Sequence, residues 1–180
     1  GMVVVPLYVD DHPDNVAWCV AKAQARLLVV ENARLAANLA RCASSGQPLP
    51  PVVVLRPEAG AALPDAIGAA DFLPASGAAM VADELPDDAL ATICFTSGTA
   101  GRPKGVMLSH ANIVANAAQC RDTGMARPDD VFLSILPLSH MFERTGGYYL
   151  PLSIGARVVF GRGGARIADD LATQAPTAIF

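Results

Sequence analysis

The residues whose types and spacing could do chemistry are concentrated between Thr96 and Gly105. This stretch reads Thr-Ser-Gly-Thr-Ala-Gly-Arg-Pro-Lys-Gly and is rich in hydroxyl groups and glycine. Glycines let backbone N–H groups approach a ligand closely, and hydroxyls can donate hydrogen bonds to phosphate oxygens. Lys104 supplies a compact positive charge, and Pro103 fixes its own φ and biases Arg102 toward extended geometry. The composition therefore suits a loop that binds a polyanion such as a phosphate group.

Two other interpretations of this loop follow from its residues. A Walker A loop needs Gly-x-x-x-x-Gly-Lys-Ser/Thr with its lysine opening a helix, whereas Lys104 precedes Gly105 and a strand-like segment follows. That class is therefore excluded. Loops of glycine, serine, threonine and proline often form turns without any ligand, so composition alone leaves a plain turn open.

The order of these residues resembles the signature loop of the adenylate-forming superfamily, which includes acyl-CoA synthetases, luciferases and peptide-synthetase adenylation domains. The family pattern is Thr-Ser-Gly-Thr-Thr-Gly-x-Pro-Lys-Gly, and this chain departs from it once, because Ala100 replaces the second threonine and removes one hydroxyl. The resemblance implies that Lys104 is catalytic and adds positive charge near a leaving pyrophosphate. The ATP phosphate-binding residues that it implies are Thr96, Ser97, Gly98, Thr99, Ala100, Gly101, Lys104 and Gly105.

A second segment, 136–144, reads Leu-Pro-Leu-Ser-His-Met-Phe-Glu-Arg. It resembles the superfamily motif in which Pro-Leu-x-His lies beside the acyl carboxylate, and its His-x-Phe-Glu form is most similar to long-chain fatty acyl-CoA synthetases. The resemblance implies that His140 and Phe142 contact the acyl substrate. Considered alone, His140 would be a structural histidine. Glu143 and Arg144 can be interpreted either as a solvated pair or as functional residues.

The resemblance implies part of an ATP-dependent ligase that activates a fatty acid as an acyl-adenylate and transfers the acyl group to coenzyme A. ATP, Mg²⁺ and coenzyme A would be its co-substrates and metal, and we predict no metal ligand in this chain. The superfamily's Tyr-Gly-x-Thr-Glu and Thr-Gly-Asp motifs and its C-terminal lid are not found in the sequence. We therefore expect an internal fragment that is inactive alone. The alternative is a short, non-catalytic nucleotide- or phosphate-binding module, and a weaker one is a purely structural α/β domain.

The elements that must position these residues alternate between strands and helices. An α/β fold is predicted, with a largely parallel sheet and flanking helices, as an incomplete portion of the N-terminal domain of an adenylate-forming enzyme. We divide this partial AMP-binding domain into a βαβαβ segment (1–55), a connecting stretch (56–90) and a segment with the phosphate loop and acyl site (91–180). Predicted strands are 2–8, 27–30, 51–55, 91–95, 106–108, 131–136, 157–160 and 177–180. Predicted helices are 13–25, 32–43, a short one near 78–83, 109–120, 143–154 and 167–174.

Composition limits the remaining classes of function. The 180 residues are 52% hydrophobic, which suits one domain with a substantial core, and the formal net charge of −4 without a basic block disfavours nucleic acid as a partner. No apolar run approaches the roughly 18 residues of a membrane span, and no secretory signal precedes the first apolar run. We expect a cytoplasmic protein with four free cysteines, and peripheral membrane association of the longer protein stays open. We also expect self-association through exposed apolar edges of the sheet.

Overall fold

The computed structural model describes residues 1–43, 48–58, 65–77, 84–96 and 102–180. These residues form two compact units. Unit 1 contains Gly1–Pro6, Leu85–Cys94 and Val106–Phe180, and unit 2 contains Leu7–Glu84 and Phe95–Gly105. Each unit has a three-stranded parallel sheet of its own, which confirms the predicted α/β class with parallel strands and flanking helices.

The sheet of unit 2 has the strand order β1-β2-β3. Helix α2 connects β1 to β2, since parallel neighbours need a crossover rather than a tight turn. The elements of this unit are α1 (Pro13–Lys22), β1 (Leu28–Val30), α2 (Ala33–Ala43), β2 (Val52–Val54), β3 (Ala66–Gly68) and α3 (Ala69–Phe72).

The core of unit 2 lies between its helices and its sheet. All three residues of β2 are buried, as expected for a central parallel strand, whereas β1 buries Leu28 and Val30 and exposes Val29. Val20 of α1 and Leu39 of α2 pack in the same cluster. Burying each such aliphatic side chain stabilises the fold by about 1.5–3 kcal/mol relative to leaving it in water. Helix α1 is therefore fixed to the sheet by its apolar face.

Unit 1 is organised around β6, which lies between β7 and β8 in a parallel sheet. Strands β4 and β5 pair in a separate two-stranded sheet. The remaining elements, in chain order, are β4 (Leu90–Thr96), β5 (Lys104–Ser109), α4 (His110–Asp122), β6 (Val131–Ser134), α5 (Met141–Glu143), a π-helical segment (Arg144–Tyr149), α6 (Leu150–Ile154), β7 (Arg157–Phe160), a 3₁₀ turn (Gly164–Arg166), α7 (Ile167–Gln174) and β8 (Ala178–Ile179). The last two residues of β4 and the first two of β5 belong to unit 2.

Several helix boundaries follow from local chemistry. Ser109 caps α4, since its Oγ accepts a hydrogen bond from the Asn112 N–H at 3.2 Å and Asn112 Oδ1 accepts one from the Ser109 N–H at 3.0 Å. Helix α6 ends at Gly155, which adopts a left-handed φ of 76°. The structure confirms both predicted boundaries, and α7 covers the predicted residues 167–174.

The prediction of a buried strand over residues 2–8 is wrong. In this segment Val4 forms one isolated parallel bridge, to Thr92, and Val3 and Val4 are 44% and 56% exposed. The third strand beside β1 and β2 is instead β3, within the stretch that was predicted as a connection. An apolar run does not by itself distinguish a buried strand from a segment that lies along a surface. The short helix predicted near 78–83 lies outside the described residues.

Two structural features are absent from the described residues. None of their helices is both long and apolar enough to cross a bilayer. In the same ranges, no group of three or more His, Cys, Asp or Glu residues is arranged to hold a metal ion.

Asp170 fastens the start of α7 to the residues that follow β7. The Arg162 backbone N–H donates to Asp170 at 2.8 Å and its guanidinium donates at 2.6 Å, and together they hold the pKa of this buried carboxyl below its ordinary value. We predict that Asp170→Asn lowers the melting temperature at neutral pH. Because the folded-state pKa is depressed, the deficit should shrink as the pH falls through that pKa and the wild-type carboxylate is protonated. The measurement is thermal unfolding at a series of pH values.

Asp169→Asn is the matched control for this prediction, because Asp169 also pairs with Arg162 but is exposed. Its effect on the melting temperature should be the smaller of the two. Equal effects of both substitutions at every pH would contradict the role given to Asp170.

Candidate functional site

The predicted phosphate loop connects two paired strands. Strand β4 ends at Thr96 and β5 begins at Lys104, as the flanking apolar segments predicted. Ser97, Gly98, Thr99, Ala100 and Gly101 lie outside the described residues, so their part in the site stays a prediction.

The described residues of the loop place its polar groups in solvent. Thr96, Lys104 and Gly105 are exposed. Among the described residues, no acidic side chain forms an ion pair with Lys104. The ammonium group is therefore not neutralised by the described part of the chain and can act on an anionic ligand.

His140 is an exposed residue that caps α5. Its Nδ1 accepts a hydrogen bond from the Phe142 backbone N–H at 3.3 Å. In neutral imidazole one nitrogen accepts and the other donates, so this bond leaves Nε2 as the donor. The structure thus gives His140 an available N–H group, which is the chemistry that binding of a carboxylate requires.

Phe142 presents an apolar ring beside this histidine on the same short helix. It is 58% exposed, and its ring lies 5.6 Å from that of Phe180, which in turn stacks on buried Phe132 at 6.0 Å. Gly146 lies beneath Phe180, where any Cβ would overlap the ring. This aromatic row forms an apolar surface that could contact a hydrocarbon chain.

Arg144 is the centre of a buried polar network that the sequence did not predict. Its guanidinium donates to Thr92 Oγ1 at 2.8 Å, to Cys94 Sγ at 3.0 Å and to the Tyr149 hydroxyl at 3.1 Å. The Thr92 hydroxyl donates its own proton to the Val4 carbonyl. Arg144 therefore joins the helix that carries His140 to β4, the strand that leads into the loop.

The interpretation of Glu143 and Arg144 as a solvated pair is wrong. Glu143 is fully buried and Arg144 is 5% exposed. Neither oxygen of the Glu143 carboxylate has a hydrogen-bond partner among the described residues. Glu143 lies against Gly147, where an added Cβ would overlap the carboxylate. The charges of this dipeptide suggested a solvated face because acidic and basic residues are seldom fully buried.

The described cysteines are free, as predicted: Cys19 and Cys94 are buried, and Cys120 is half-buried. Burial raises the pKa of the Cys19 thiol to about 11, so it stays protonated at neutral pH and is a poor nucleophile. Cys94 accepts from Arg144 and its Sγ lies 3.1 Å from Met141 Sδ, which gives it a structural place in the network.

The sequence model of AMP-binding enzymes matches residues 1–180. The chain belongs to the AMP-binding enzyme family. This finding confirms the resemblance on which the interpretation of the loop rests.

Relatives within this family are named as long-chain acyl-CoA enzymes. Long chain acyl-CoA synthetase 6, peroxisomal, of Arabidopsis thaliana is 46% identical over 93 residues, which cover 51% of this chain and 13% of that protein. Long-chain-fatty-acid–CoA ligase 1 of Cavia porcellus is 32% identical over 193 aligned positions, which cover 98% of this chain and 27% of that protein. The matched stretches thus cover about an eighth and a quarter of these relatives, and the alignment that includes nearly the whole chain covers the larger share.

Solved structures of family-like enzymes share the fold. The acyl-CoA synthetase of Brucella canis aligns with a TM-score of 0.85 at 23% identity, over 99% of this chain and 32% of that one. The anthranilate CoA ligase AuaEII, in complex with anthranoyl-AMP, aligns with a TM-score of 0.80 at 22% identity, over 99% and 34%. These similarities confirm that the parallel sheets and flanking helices form part of a fold found in acyl-CoA ligases.

We predict that Arg144→Leu lowers the free energy of unfolding by about 2–4 kcal/mol. The substitution leaves the buried side chains of Thr92 and Cys94 and the half-buried Tyr149 hydroxyl without their donor, and an unsatisfied buried group costs about 1–3 kcal/mol. Urea unfolding followed by circular dichroism measures the change.

Arg121→Leu is the matched control, because Arg121 pairs with its neighbour Asp122 on an exposed face. Its effect should stay within about 0.5 kcal/mol. An Arg144 variant as stable as the Arg121 variant would show that the buried network contributes little.

Proposed function

We propose that this chain supplies the phosphate-binding loop and part of the acyl-binding surface of an ATP-dependent fatty acid–CoA ligase. The observation that carries the proposal is the position of exposed Lys104, which forms no ion pair with a described acidic residue, at the end of the loop between β4 and β5, within the sequence Thr-Ser-Gly-Thr-Ala-Gly-Arg-Pro-Lys-Gly. Membership of the AMP-binding family and relatives named long-chain acyl-CoA synthetases support this substrate class. The proposed substrates are ATP, a fatty acid and coenzyme A.

The proposed reaction begins with attack of a fatty acid carboxylate on the α-phosphorus of ATP, which releases pyrophosphate and forms an acyl-adenylate. The thiol of coenzyme A then attacks the acyl carbon, and AMP leaves. The first step brings two anions together, so the site must neutralise charge and hold both reactants in line.

The loop would neutralise the charge of the phosphates, which is the first of these requirements. The hydroxyls of Thr96, Ser97 and Thr99 and the backbone N–H groups of 98–101 would donate to the β- and γ-phosphates. Ala100 contributes its backbone N–H but no hydroxyl. Lys104, with Gly105 allowing close approach of the backbone, would stabilise the negative charge that develops on the leaving pyrophosphate. Mg²⁺ would enter as the ion that accompanies ATP, and we assign it no ligand in this chain.

The residues of α5 would hold the fatty acid in line with ATP, which is the second requirement. Nε2–H of His140 is free to donate to the fatty acid carboxylate, because Nδ1 is occupied by the helix cap. The exposed ring of Phe142 offers an apolar surface for the first part of the acyl chain. Arg144 is not part of this contact, and its role is to hold the helix on β4.

Several further features of the proposal are hypotheses to be tested. We retain the division into residues 1–55, 56–90 and 91–180 as a working description, with the third strand of the first sheet supplied by β3 in the middle segment and not by residues 2–8. A cytoplasmic location is our starting hypothesis, and the peroxisomal relative offers the other possibility to be tested. The 180-residue chain by itself is proposed to lack ligase turnover, and its self-association stays a prediction.

We predict that Lys104→Ala lowers kcat for acyl-CoA synthesis by the native gene product about 10²- to 10³-fold, the loss expected when one preorganised electrostatic group is removed from a transition state. The assay measures AMP release that depends on fatty acid and coenzyme A. Lys22→Ala is the matched control, because Lys22 is the chain's other lysine and is exposed at the end of α1.

The control variant should retain the wild-type rate. Full activity of the Lys104 variant would contradict the role of the loop. Turnover by the isolated 180-residue chain would contradict its proposed dependence on other parts of the enzyme, and a native gene product that binds ATP without turnover would favour the non-catalytic module.

A further inference from the structure

Trp18 contacts one residue directly before the candidate phosphate loop and one residue within it, near its end. It is the only tryptophan of the chain and lies half-buried on α1, in unit 2. The ring of Phe95, directly before Thr96, lies 6.0 Å from the Trp18 ring at an interplanar angle of 72°. The guanidinium carbon of Arg102 lies 5.8 Å from the centroid of the same ring.

Both contacts have attractive geometry. An edge-to-face pair places the positive edge of one ring against the negative face of the other, at centroid distances of about 4.5–7 Å. A guanidinium within about 6 Å of a ring centroid is attracted by the same quadrupole, most strongly for tryptophan. One indole ring thus holds the residue that precedes the loop's first hydroxyl and a residue two positions before Lys104.

Trp18 is itself fixed by the core of unit 2. The two residues that follow it, Cys19 and Val20, are buried, and Val20 belongs to the same hydrophobic cluster as Leu39 and Val52 and Val54 of β2. The indole is therefore attached to a rigid helix and not to another loop. A side chain that contacts this indole is therefore held in place more firmly than a side chain that contacts another mobile side chain.

We propose that Trp18 is a positioning residue for the binding of nucleotide phosphates. By holding Phe95 and Arg102, Trp18 fixes the positions of a residue at the end of β4 and a residue just before β5. Because Pro103 has a fixed φ, the position of Arg102 restricts the direction in which Lys104 follows. Fixing these residues before the ligand arrives lowers the entropy lost on binding. The inference rests on the proposed function, since it assumes that the loop binds the phosphates of ATP.

The experiment uses Mg²⁺ with inorganic tripolyphosphate as the probe and the 180-residue chain as the protein. Tripolyphosphate carries no absorbing base, so the fluorescence of Trp18 can be read directly, and calorimetry gives the affinity independently of fluorescence. The variants are Trp18→Leu, Trp18→Phe, Arg102→Gln and the double variant Trp18→Leu/Arg102→Gln. Arg56→Gln is the charge-matched control, because Arg56 is an exposed arginine of the same unit.

Binding of the probe should change the Trp18 emission of the wild-type protein. The Kd from the emission titration should equal the Kd from calorimetry. Trp18→Leu should bind the probe about 3- to 10-fold more weakly, the loss expected when one or two such ring contacts are removed, and Trp18→Phe should recover part of it. Arg102→Gln should reduce both the affinity and the emission change, whereas Arg56→Gln should alter neither. The double variant should lose less affinity than the product of the two single losses, because both act through one contact.

The outcomes separate this inference from the proposed function. If the wild type binds the probe and Lys104→Ala abolishes binding, but Trp18→Leu binds as tightly as the wild type, the inference is wrong and the loop assignment stands. If the wild type binds no tripolyphosphate by calorimetry, the loop assignment fails and the inference with it. If Trp18→Leu does not fold, Arg102→Gln decides, because an unchanged emission response in that variant would overturn the inference.

Discussion

The buried guanidinium of Arg144 is the constraint on which the arrangement of unit 1 depends. Arginine keeps its charge inside a protein, so its donors must find acceptors when it is buried. Thr92, Cys94 and Tyr149 provide them, and two of these lie on β4. The short helix that carries His140 and Phe142 is thereby held against the strand that leads into the candidate phosphate loop. A leucine or methionine at 144 could fill the same space, but it could not form the hydrogen bonds that fix the helix on β4.

The phosphate loop and the acyl surface depend on different kinds of interaction. The loop needs exposed donors and a charge without a counter-ion in the protein, and Thr96 and Lys104 are exposed at the ends of paired strands with no described acidic residue paired to Lys104. The acyl surface needs exposed apolar area beside one polar donor, which α5 supplies with Phe142 and the capped His140. In both places the groups that a ligand would contact are exposed, polar at the loop and apolar at Phe142.

Local patterns predicted the parts of this structure that local chemistry determines. The capping residue Ser109, the left-handed Gly155, helix α7 and the position of the loop between two strands could all be inferred from neighbouring residues. Long-range contacts could not. The hydrogen bond between Arg144 and Thr92 joins residues 52 positions apart, and the one between Thr92 and Val4 spans 88. Such pairing explains why an apolar amino-terminal segment lies beside β4 and why the charged side chain of Arg144 is buried.

Fatty-acid-dependent exchange of labelled pyrophosphate into ATP tests the central claim most directly, because it isolates acyl-adenylate formation from the later attack of coenzyme A. The native gene product should catalyse this exchange only when a fatty acid is present, Lys104→Ala should lose it, and Lys22→Ala should retain it. Exchange that needs no fatty acid, or that survives intact in the Lys104 variant, would contradict the claim that this loop binds the phosphates of ATP while a fatty acid is activated.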